Sequence, residues 1–466
     1  MKQTMVVMSR ITIVIVFLSV IFVCSVTNNI PPPSDAATPD DPKGTFYVNS
    51  NNPNASDTGP GSISQPWESL APLDNRSFTP GDTIYFARGS SYSGSFETST
   101  SGTAAQPITF TAYGSGDAPS FTNPDFNPSY GNSFYITGDF IVIDGLYFHG
   151  GADAQEGRSH DAMRVGAVFI DVGGDHVTVR NCEFYDCVVG VNSVGFHTQI
   201  SNSNFHDFNR WLWNPNWGPL GVVIGSAFAE VSYNRFTNIY KVGGTFGADG
   251  GAIEVDDRFF DQSAHDIDIH HNVSIGCYGF VEVETECAGN NIDVYYNLSN
   301  DYQEFVFYWG GHDSKVENNT VIRTLAPLGD PPSVNTVFSM ANSWGEVPNR
   351  DPFTVRNNIF VVGNGLQVWV DAPYDANSGY ASAIKENNIY YSADSSTTDP
   401  HGLTLGPGEM VVNPGFVNLL GKDYHLASGS PAVDAGQILE YTSDLGGQAV
   451  PSGSASDIGV YEFHSE

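Results

Sequence analysis

Two short segments of this sequence carry acidic residues in a pattern that could support acid–base chemistry. Residues 250–257 and 280–286 both alternate aliphatic and acidic side chains. Successive side chains of a β-strand point to opposite faces, so the aliphatic residues would share one face and the carboxylates the other. The candidate catalytic residues are Glu254, Asp256, Glu282 and Glu284.

Carboxylates placed this close together raise one another's pKa or require a cation. One solution keeps one carboxyl protonated beside an ionised partner, as in glycosidases, where a separation of about 5–5.5 Å suits retention and about 6.5–9.5 Å suits inversion. The other solution is a bound Ca²⁺ ion held by oxygen ligands from both segments. The sequence leaves the metal ligands undefined and both solutions open.

The alignment of the two segments favours one pair of carboxylates. Glu254 and Glu282 each follow the first inward aliphatic residue of their strand, Ile253 and Val281. Aligning those positions places the two carboxylates directly across neighbouring strands, about 4.8 Å apart. We therefore expect Glu254 and Glu282 to matter more than the outer pair.

A degenerate internal repeat surrounds the acidic segments. Each copy is a short aliphatic strand followed by a polar turn and usually an Asn, without helical periodicity. From Asn234 the repeated Asn advances by 38, 25, 22, 39 and 30 residues, which is the range of solenoid repeats. The repeated positions are Asn234, Asn272, Asn297, Asn319, Asn358 and Asn388.

On these repeats the chain resembles the right-handed parallel β-helix proteins, a superfamily that includes pectate lyases, polygalacturonases and chondroitinase B. Its opening, at residues 46–50, 65–70 and 80–86, is similar to the N-terminal cap and first coil of that superfamily, and residues 423–463 resemble its usual end. The resemblance implies an all-β solenoid with an N-terminal cap and a C-terminal capping segment. It also implies that the repeated Asn side chains point inward and have a structural role.

The N-terminus predicts export. Lys2 and Arg10 precede an apolar run at residues 11–23, which is short for a membrane span and typical of a signal peptide. Cys24 follows a sequence that resembles a lipoprotein box, although Val23 departs from it. We expect a signal peptide at residues 1–24, a disordered linker at 25–43 and one β-helix domain at 44–466.

The composition narrows the set of partners. The 18 Lys and Arg residues against 52 Asp and Glu residues give a formal net charge of −34, which disfavours nucleic acid and anionic membranes. The protein is expected to be a monomer that acts on a polysaccharide or oligosaccharide. Four Cys residues follow the leader, and they could pair as disulfides or stay as buried thiols.

Two insertions and several aromatic residues suggest a groove over the acidic strands. Residues 241–250 lengthen one coil before its acidic strand, which is expected to be the second strand of the coil, and residues 326–334 lengthen another. Such loops would wall a groove. Flat apolar rings stack on sugars, and the predicted substrate contacts are Tyr308, Trp309, His312 and Trp213.

These observations favour a secreted or surface-anchored glycoside hydrolase that needs no cofactor. The alternatives are a Ca²⁺-assisted polysaccharide lyase and a non-catalytic glycan-binding β-helix. Glu282-Val283-Glu284 resembles the first half of the calcium motif of chondroitinase B and its alginate-lyase relatives, but no Lys or Arg occurs between Arg258 and Lys315. The remaining candidate bases for elimination are Lys241, Arg258, His270, His271 and Tyr278.

Overall fold

The chain winds through repeated coils of three strands each, and equivalent strands of successive coils pair in parallel to build three sheets. The computed structural model describes residues 44–464, except 75, 125–129, 152–163, 213–216, 245, 259–262, 285–290, 310–312, 330–336, 342–352 and 370–382; at residues 309 and 339–341 it describes the backbone alone. The predicted signal peptide, Cys24 and the linker therefore lie outside the described residues.

The first and second sheets have twelve strands each. The first sheet contains Thr45–Val48, Thr83–Ala87, Ile108–Tyr113, Ile141–Asp144, Thr178–Arg180, Gln199–Ser201, Glu230–Ser232, Ile267–His270, Ile292–Tyr295, Lys315–Glu317, Thr354–Arg356 and Ile384–Glu386. The second sheet contains Ser91–Ser93, Ser120–Thr122, Tyr147–His149, Glu183–Tyr185, Asn204–His206, Arg235–Thr237, Val273–Ile275, Leu298–Asn300, Thr320–Arg323, Ile359–Val362, Ile389–Ser392 and Met410–Val411.

The third sheet has nine strands and carries the acidic segments. Its strands are Phe96–Thr98, Phe134–Ile136, Val168–Ile170, Val189–Ser193, Leu220–Ile224, Gly251–Asp256, Gly279–Glu284, Val306–Trp309 and Phe338–Ala341. The acidic strand is thus the third of its coil, and the prediction that it is the second is wrong. The intervening strands, such as Val273–Ile275, have only three residues, too few to reveal an alternating pattern.

The predicted all-β solenoid is confirmed, and the chain is a right-handed parallel β-helix. In the described part of the chain the only helix is a 3₁₀ turn at Ala71–Leu73. Two antiparallel hairpins join Lys241–Val242 to Ala248–Asp249 and Phe416–Asn418 to Asp423–Leu426. Within the described residues, no helix has the length and apolar character needed to span a lipid bilayer.

The repeated Asn residues form a buried ladder at the turn between the first and second sheets, as predicted. Their exposed fractions are 2% or less. The Asn272 amide donates to the Val231 carbonyl at 2.8 Å, and its Oδ1 accepts the Asn234 backbone N–H at 2.9 Å. Both of these bonds go to the preceding coil, and the Asn272 amide also donates to Asn297 Oδ1 of the following coil at 3.1 Å, so this side chain ties its coil to both neighbours.

The two ends of the chain cover exposed sheet surfaces. At the N-terminal end Trp67 stacks on Phe46 with ring centres 5.2 Å apart. The C-terminal segment also lies along the side of the solenoid, where the Asn300 amide donates to the Tyr424 hydroxyl at 2.9 Å and Tyr441 donates to Glu317 at 2.7 Å. Its apolar residues pack on outward side chains of the second sheet, including Ile359.

The described cysteines are free thiols buried in the coils. Cys182, Cys187 and Cys277 have no disulfide partner within the part of the chain that the structure describes, and Cys287 lies outside it. Burial raises the pKa of the Cys182 thiol to about 12. Such thiols are unreactive at neutral pH, so for these three residues the buried-thiol alternative is confirmed.

Candidate functional site

The predicted carboxylates lie on two adjacent parallel strands of the third sheet. In the pairing of Gly251–Asp256 with Gly279–Glu284, Glu254 is opposite Glu282 and Asp256 is opposite Glu284. The intervening aliphatic residues point into the core and are at most 1% exposed: Ile253, Val255, Val281 and Val283. The predicted placement of the four residues is confirmed, and their catalytic role stays a prediction.

The two strands differ in exposure. Glu254 is 2% exposed and Asp256 is fully buried, whereas Glu282 and Glu284 are partly exposed. The Trp217 indole covers the first strand and donates a hydrogen bond from Nε1 to Glu254 Oε2 at 3.0 Å. Glu254 and Asp256 therefore do not form an exposed face, and Trp217, which lies 37 residues earlier in the chain, contacts Glu254.

Arg258 is the cation of the acidic cluster. Its Nη2 lies 2.8 Å from Asp256 Oδ2 and 3.8 Å from Glu254 Oε1, and its Nη1 contacts Glu284 Oε2. The guanidinium side chain is 17% exposed and lies over the Trp217 ring, with Cζ 5.8 Å from the ring centre. The sequence presents Arg258 as an isolated base just after the strand, and the fold turns it back into the cluster.

The alternative left open by the sequence is a Ca²⁺ ion held by oxygen ligands from both segments. Glu254, Asp256 and Glu284 have oxygens within 4.8 Å of one another, a spacing that could suit a metal ion. However, Arg258 contacts all three of them, so the site already holds a positive charge. Ca²⁺ does not fit while Arg258 is in place, and we treat the cluster as an ion-pair network.

Burial and mutual repulsion hold protons on the central pair. The pKa of Glu254 is raised well above its ordinary value, mainly by burial and then by the charges of Asp256 and Glu282. The pKa of Glu282 is raised to about 7, first by burial and then by Asp249. Near neutral pH the pair therefore holds at least one proton, as expected for like charges across one coil step.

A second group of carboxyls, Asp249 and Glu304, lies on the other side of Glu282. Burial raises the pKa of Asp249 to about 7. Burial and the charge of Glu282 raise the pKa of Glu304 to about 8. Glu304 precedes the strand Val306–Trp309 and breaks the alternating pattern of that segment, so the sequence offered no signal for it.

The inserted loops meet beside these strands. The first insertion contains the short hairpin of Lys241–Val242 and Ala248–Asp249 described above, and beside it the Gly243 N–H donates to the Gly247 carbonyl at 2.8 Å. Gly329, in the second insertion, approaches so closely that a Cβ there would lie 2.3 Å from the Gly247 oxygen. The predicted insertions thus touch each other, and the glycine at 329, with φ of +85°, is required by that approach.

The predicted substrate contacts have different outcomes. Tyr308 is wrong as a groove residue: it is fully buried, and its hydroxyl donates to the Ile292 carbonyl at 2.9 Å. The alternation places Phe307 on the outer face instead, opposite Glu282, and the backbone of Trp309 pairs with that of Glu284. Phe307 is partly exposed, and the Trp309 side chain, Trp213 and His312 lie outside what the structure describes.

The candidate bases are spread over the molecule. Lys241 donates to the Asn209 carbonyl at 3.3 Å on the hairpin. His270 and His271 belong to the first sheet and its following turn, where the His271 ring contacts the C-terminal segment at Ser443. Only Arg258 and the nearly buried Tyr278 adjoin the acidic strands.

Comparisons with known proteins extend to the fold alone. The sequence matches no protein-family model and is not significantly similar to any curated protein. The structure is similar to that of the pectate lyase Pel9A, with a TM-score of 0.54 and 16% identity over 91% of this chain and 98% of that one. It is also similar to a rhamnogalacturonan lyase, with a TM-score of 0.52 and 15% identity over 82% and 92% of the two chains.

Proposed function

We propose that this protein is a carbohydrate-active enzyme that hydrolyses glycosidic bonds, with Glu282 as the carboxyl group that transfers the proton. The observation that carries the proposal is the position of Glu282: it is partly exposed and has ionisable neighbours on both sides. General acid catalysis is most effective when the pKa of the acid is near the working pH. The raised pKa of Glu282, about 7, meets that condition at neutral pH.

Glu284 is the better partner for Glu282 on grounds of access. It is partly exposed and forms an ion pair with Arg258, so it can be an ionised base. Glu282 and Glu284 are two residues apart on one strand, so their side chains are about 6.6–6.8 Å apart. This distance falls in the range of inverting glycosidases. Glu282 would protonate the leaving oxygen while Glu284 accepts a proton from the water that attacks the anomeric carbon.

Glu254 is the alternative partner and would give the opposite stereochemistry. It lies one coil step from Glu282, near the spacing of about 5 Å that suits retention. Its burial under Trp217 keeps it from a substrate unless the indole moves aside. The configuration of the product therefore distinguishes the two pairs.

The substrate is expected to be a neutral glycan. The excess of carboxylates over Arg258 around the site would repel a uronate chain. Sugar rings stack on flat apolar surfaces, and the site offers Phe307 on the outer face and Phe246, 55% exposed, on the hairpin. The predicted export of the chain agrees with a polymeric substrate outside the cell.

Elimination is the second candidate reaction. The two solved structures described above are both lyases, and Arg258 and Tyr278 are bases close to the acidic strands. A lyase would cleave a uronate polymer and leave an unsaturated product. The ion pairs of Arg258 count against this reaction, because a guanidinium bound by carboxylates is a poor base.

The test is incubation with a panel of neutral and uronate-containing polysaccharides, measuring reducing ends, ultraviolet absorbance and the anomeric configuration of the first product. We expect reducing ends without absorbance, inversion, and a loss of kcat by about 10²–10⁴ in Glu282→Gln with the fold intact. The matched control is Glu317→Gln, which changes a buried carboxyl on the first sheet. Ultraviolet absorbance would establish elimination, and near-normal turnover of Glu282→Gln would remove this residue from the mechanism.

A further inference from the structure

Glu304 is held by hydrogen bonds to its backbone, while one of its two carboxyl oxygens has no hydrogen-bond partner among the described residues. Its carbonyl oxygen accepts hydrogen bonds from the Phe280 backbone N–H and from Arg323 Nη2, both at 3.0 Å. The side-chain oxygen Oε1 accepts a hydrogen bond from Gln303 Nε2 at 3.3 Å. The other oxygen, Oε2, is buried and has no hydrogen-bond partner among the described residues. Such an atom is costly, so a structural role alone does not explain it.

A small cavity lies between Glu304 and Glu282. Its volume is about 10 Å³, close to the space that a single water molecule needs. Besides Glu282 and Glu304 it is lined by Tyr278, by three glycines and by the apolar residues of the adjoining strands: Gly250, Gly251, Gly279, Leu220, Ile253, Phe280 and Val281. A Cβ at position 279 would lie 3.6 Å from Glu304 Oε2, so the absence of a side chain there keeps this space open.

We propose that one water molecule in this cavity bridges Glu282 and Glu304, and that Glu304 is a positioning residue that shares its proton with Glu282. The water would accept or donate at Glu304 Oε2 and reach the Glu282 carboxyl from the side opposite Arg258. When Glu282 gives up its proton to the leaving oxygen, Glu304 keeps its own proton and donates through the water to the new carboxylate. Solvent then returns a proton to Glu282, so that no net proton is lost.

The charges around the two carboxyls favour a protonated Glu304 beside an ionised Glu282. Glu282 faces Asp249, Asp256 and Glu254, whose charges disfavour its ionisation, and Arg258, which favours it. Glu304 faces Glu282 and Asp249, which raise its pKa, and Arg323, which lowers it. The pKa of Glu304 is about 8 and that of Glu282 about 7, so Glu304 still holds its proton where Glu282 begins to lose one.

The inference depends on the proposed function only for its catalytic consequence, because the proton sharing itself can be measured in the resting protein. The experiment is a titration of the full chain carrying ¹³C-labelled glutamate, followed by NMR in the wild type and in Glu282→Gln and Glu304→Gln. Linkage requires the coupling free energy to be the same in both directions. We expect Glu282→Gln to lower the midpoint of Glu304 by about one pH unit, because it removes the charge that raises the pKa of Glu304, and Glu304→Gln to lower the midpoint of Glu282 by less, because Glu304 is still protonated where Glu282 titrates. Glu317→Gln should shift neither midpoint.

The substitution Gly279→Ala tests whether a water molecule bridges the two carboxyl groups. Its added methyl group makes contacts of ordinary length, 3.4 Å and longer, and so fills the cavity without strain. Loss of a bridging water should raise both midpoints, because each carboxylate loses a hydrogen-bond donor. Gly446→Ala, with similar contact distances in the C-terminal segment, should leave both unchanged. Unaltered midpoints in Gly279→Ala would exclude the water.

In catalysis, the pH profile of kcat/KM for Glu304→Gln should shift to lower pH by the same amount as the midpoint of Glu282. A structural role of Glu304 would lower activity at all pH values without moving the profile. Absence of the reciprocal shifts refutes the proton sharing even in an active enzyme. Reciprocal shifts in a protein that cleaves no glycan would refute the proposed function and leave the proton sharing established.

Discussion

Two polar ladders run along this solenoid, and they solve the same problem in different ways. The Asn ladder stacks identical amides, each of which donates to the amide oxygen of the next Asn and accepts from the amide of the preceding one. The acidic rows of the third sheet stack carboxylates, which can only accept hydrogen bonds when ionised and which repel one another. An amide ladder is self-complementary, whereas a carboxylate ladder needs outside help from Arg258, Trp217 and bound protons.

The comparison shows which part of this fold can change its protonation state. The amides of the Asn ladder, such as that of Asn297, do not titrate, and their hydrogen bonds are satisfied. The acidic rows hold several groups whose protonation depends on their neighbours, and such clusters are common at functional sites. The difference between the ladders can be tested by removing one member of each.

The largest effect on stability is expected when the cation of the acidic rows is removed. Arg258→Met leaves Asp256 and its neighbours buried without a counter-charge, and breaking a buried pair in this way costs about 3–5 kcal/mol. Urea unfolding of the variant measures the cost. The loss should shrink at acidic pH, where the carboxyls take up protons.

The matched control for that variant is Arg180→Met. Arg180 is 47% exposed and pairs with Asp144 at 2.9 Å on the first sheet. Exposed pairs contribute under about 1 kcal/mol. Equal losses in the two variants would mean that Arg258 is an ordinary surface arginine.

A similar or smaller loss is expected when one rung of the Asn ladder is removed. Asn297→Ala removes the acceptor of the Asn272 backbone N–H and the donor to the Ile269 carbonyl. Each buried group left unsatisfied costs about 1–3 kcal/mol, so we expect a total of about 2–6 kcal/mol, independent of pH. The exposed Asn54→Ala is the control in the same unfolding experiment, and a pH-dependent loss at Asn297 would erase the contrast between the ladders.

The acidic rows should also make stability depend on pH, with a sign opposite to that of ordinary ion-paired carboxylates. The pKa values of Asp249 and Glu282 are raised to about 7 and that of Glu304 to about 8, from ordinary values of 3.8 and 4.5. Their contribution is fully present below the ordinary values and is lost as the pH rises through 7 and 8.

Unfolding free energies measured across this pH range give the test. As the pH rises, the free energy of unfolding should decline less in the double variant Glu282→Gln with Glu304→Gln than in the wild type, because the variant lacks two of the titrating groups. A decline of the same size in both proteins would assign it to other residues.

The smallest effect is expected from a chelator. Because Arg258 supplies the positive charge of the cluster, removing divalent cations should leave the melting temperature and the hydrolytic activity unchanged. Thermal unfolding with and without chelator, and after return of Ca²⁺, measures this. A fall in melting temperature that Ca²⁺ restores would show that a metal displaces Arg258, and it would favour elimination.

The sequence by itself determined the coil and the register of the acidic strands. The recurring Asn and the alternation around Ile253 and Val281 are local patterns, and stacking is a nearest-neighbour relation, so both can be read along the chain. The same alternation would also have placed Tyr308 inward with Val306 and Phe307 outward, had it been applied to that strand.

Only the tertiary structure decided which carboxylates are buried and what neutralises them. Trp217 reaches Glu254 from 37 residues away, and Arg258 folds back onto the strand that precedes it. Glu304 adjoins Glu282 because two coils stack, although it belongs to neither acidic segment. Such contacts depend on the paths of inserted loops and on side-chain direction, for which no periodic pattern exists. The fold could therefore be predicted from the repeat, while the charge state of the site could not.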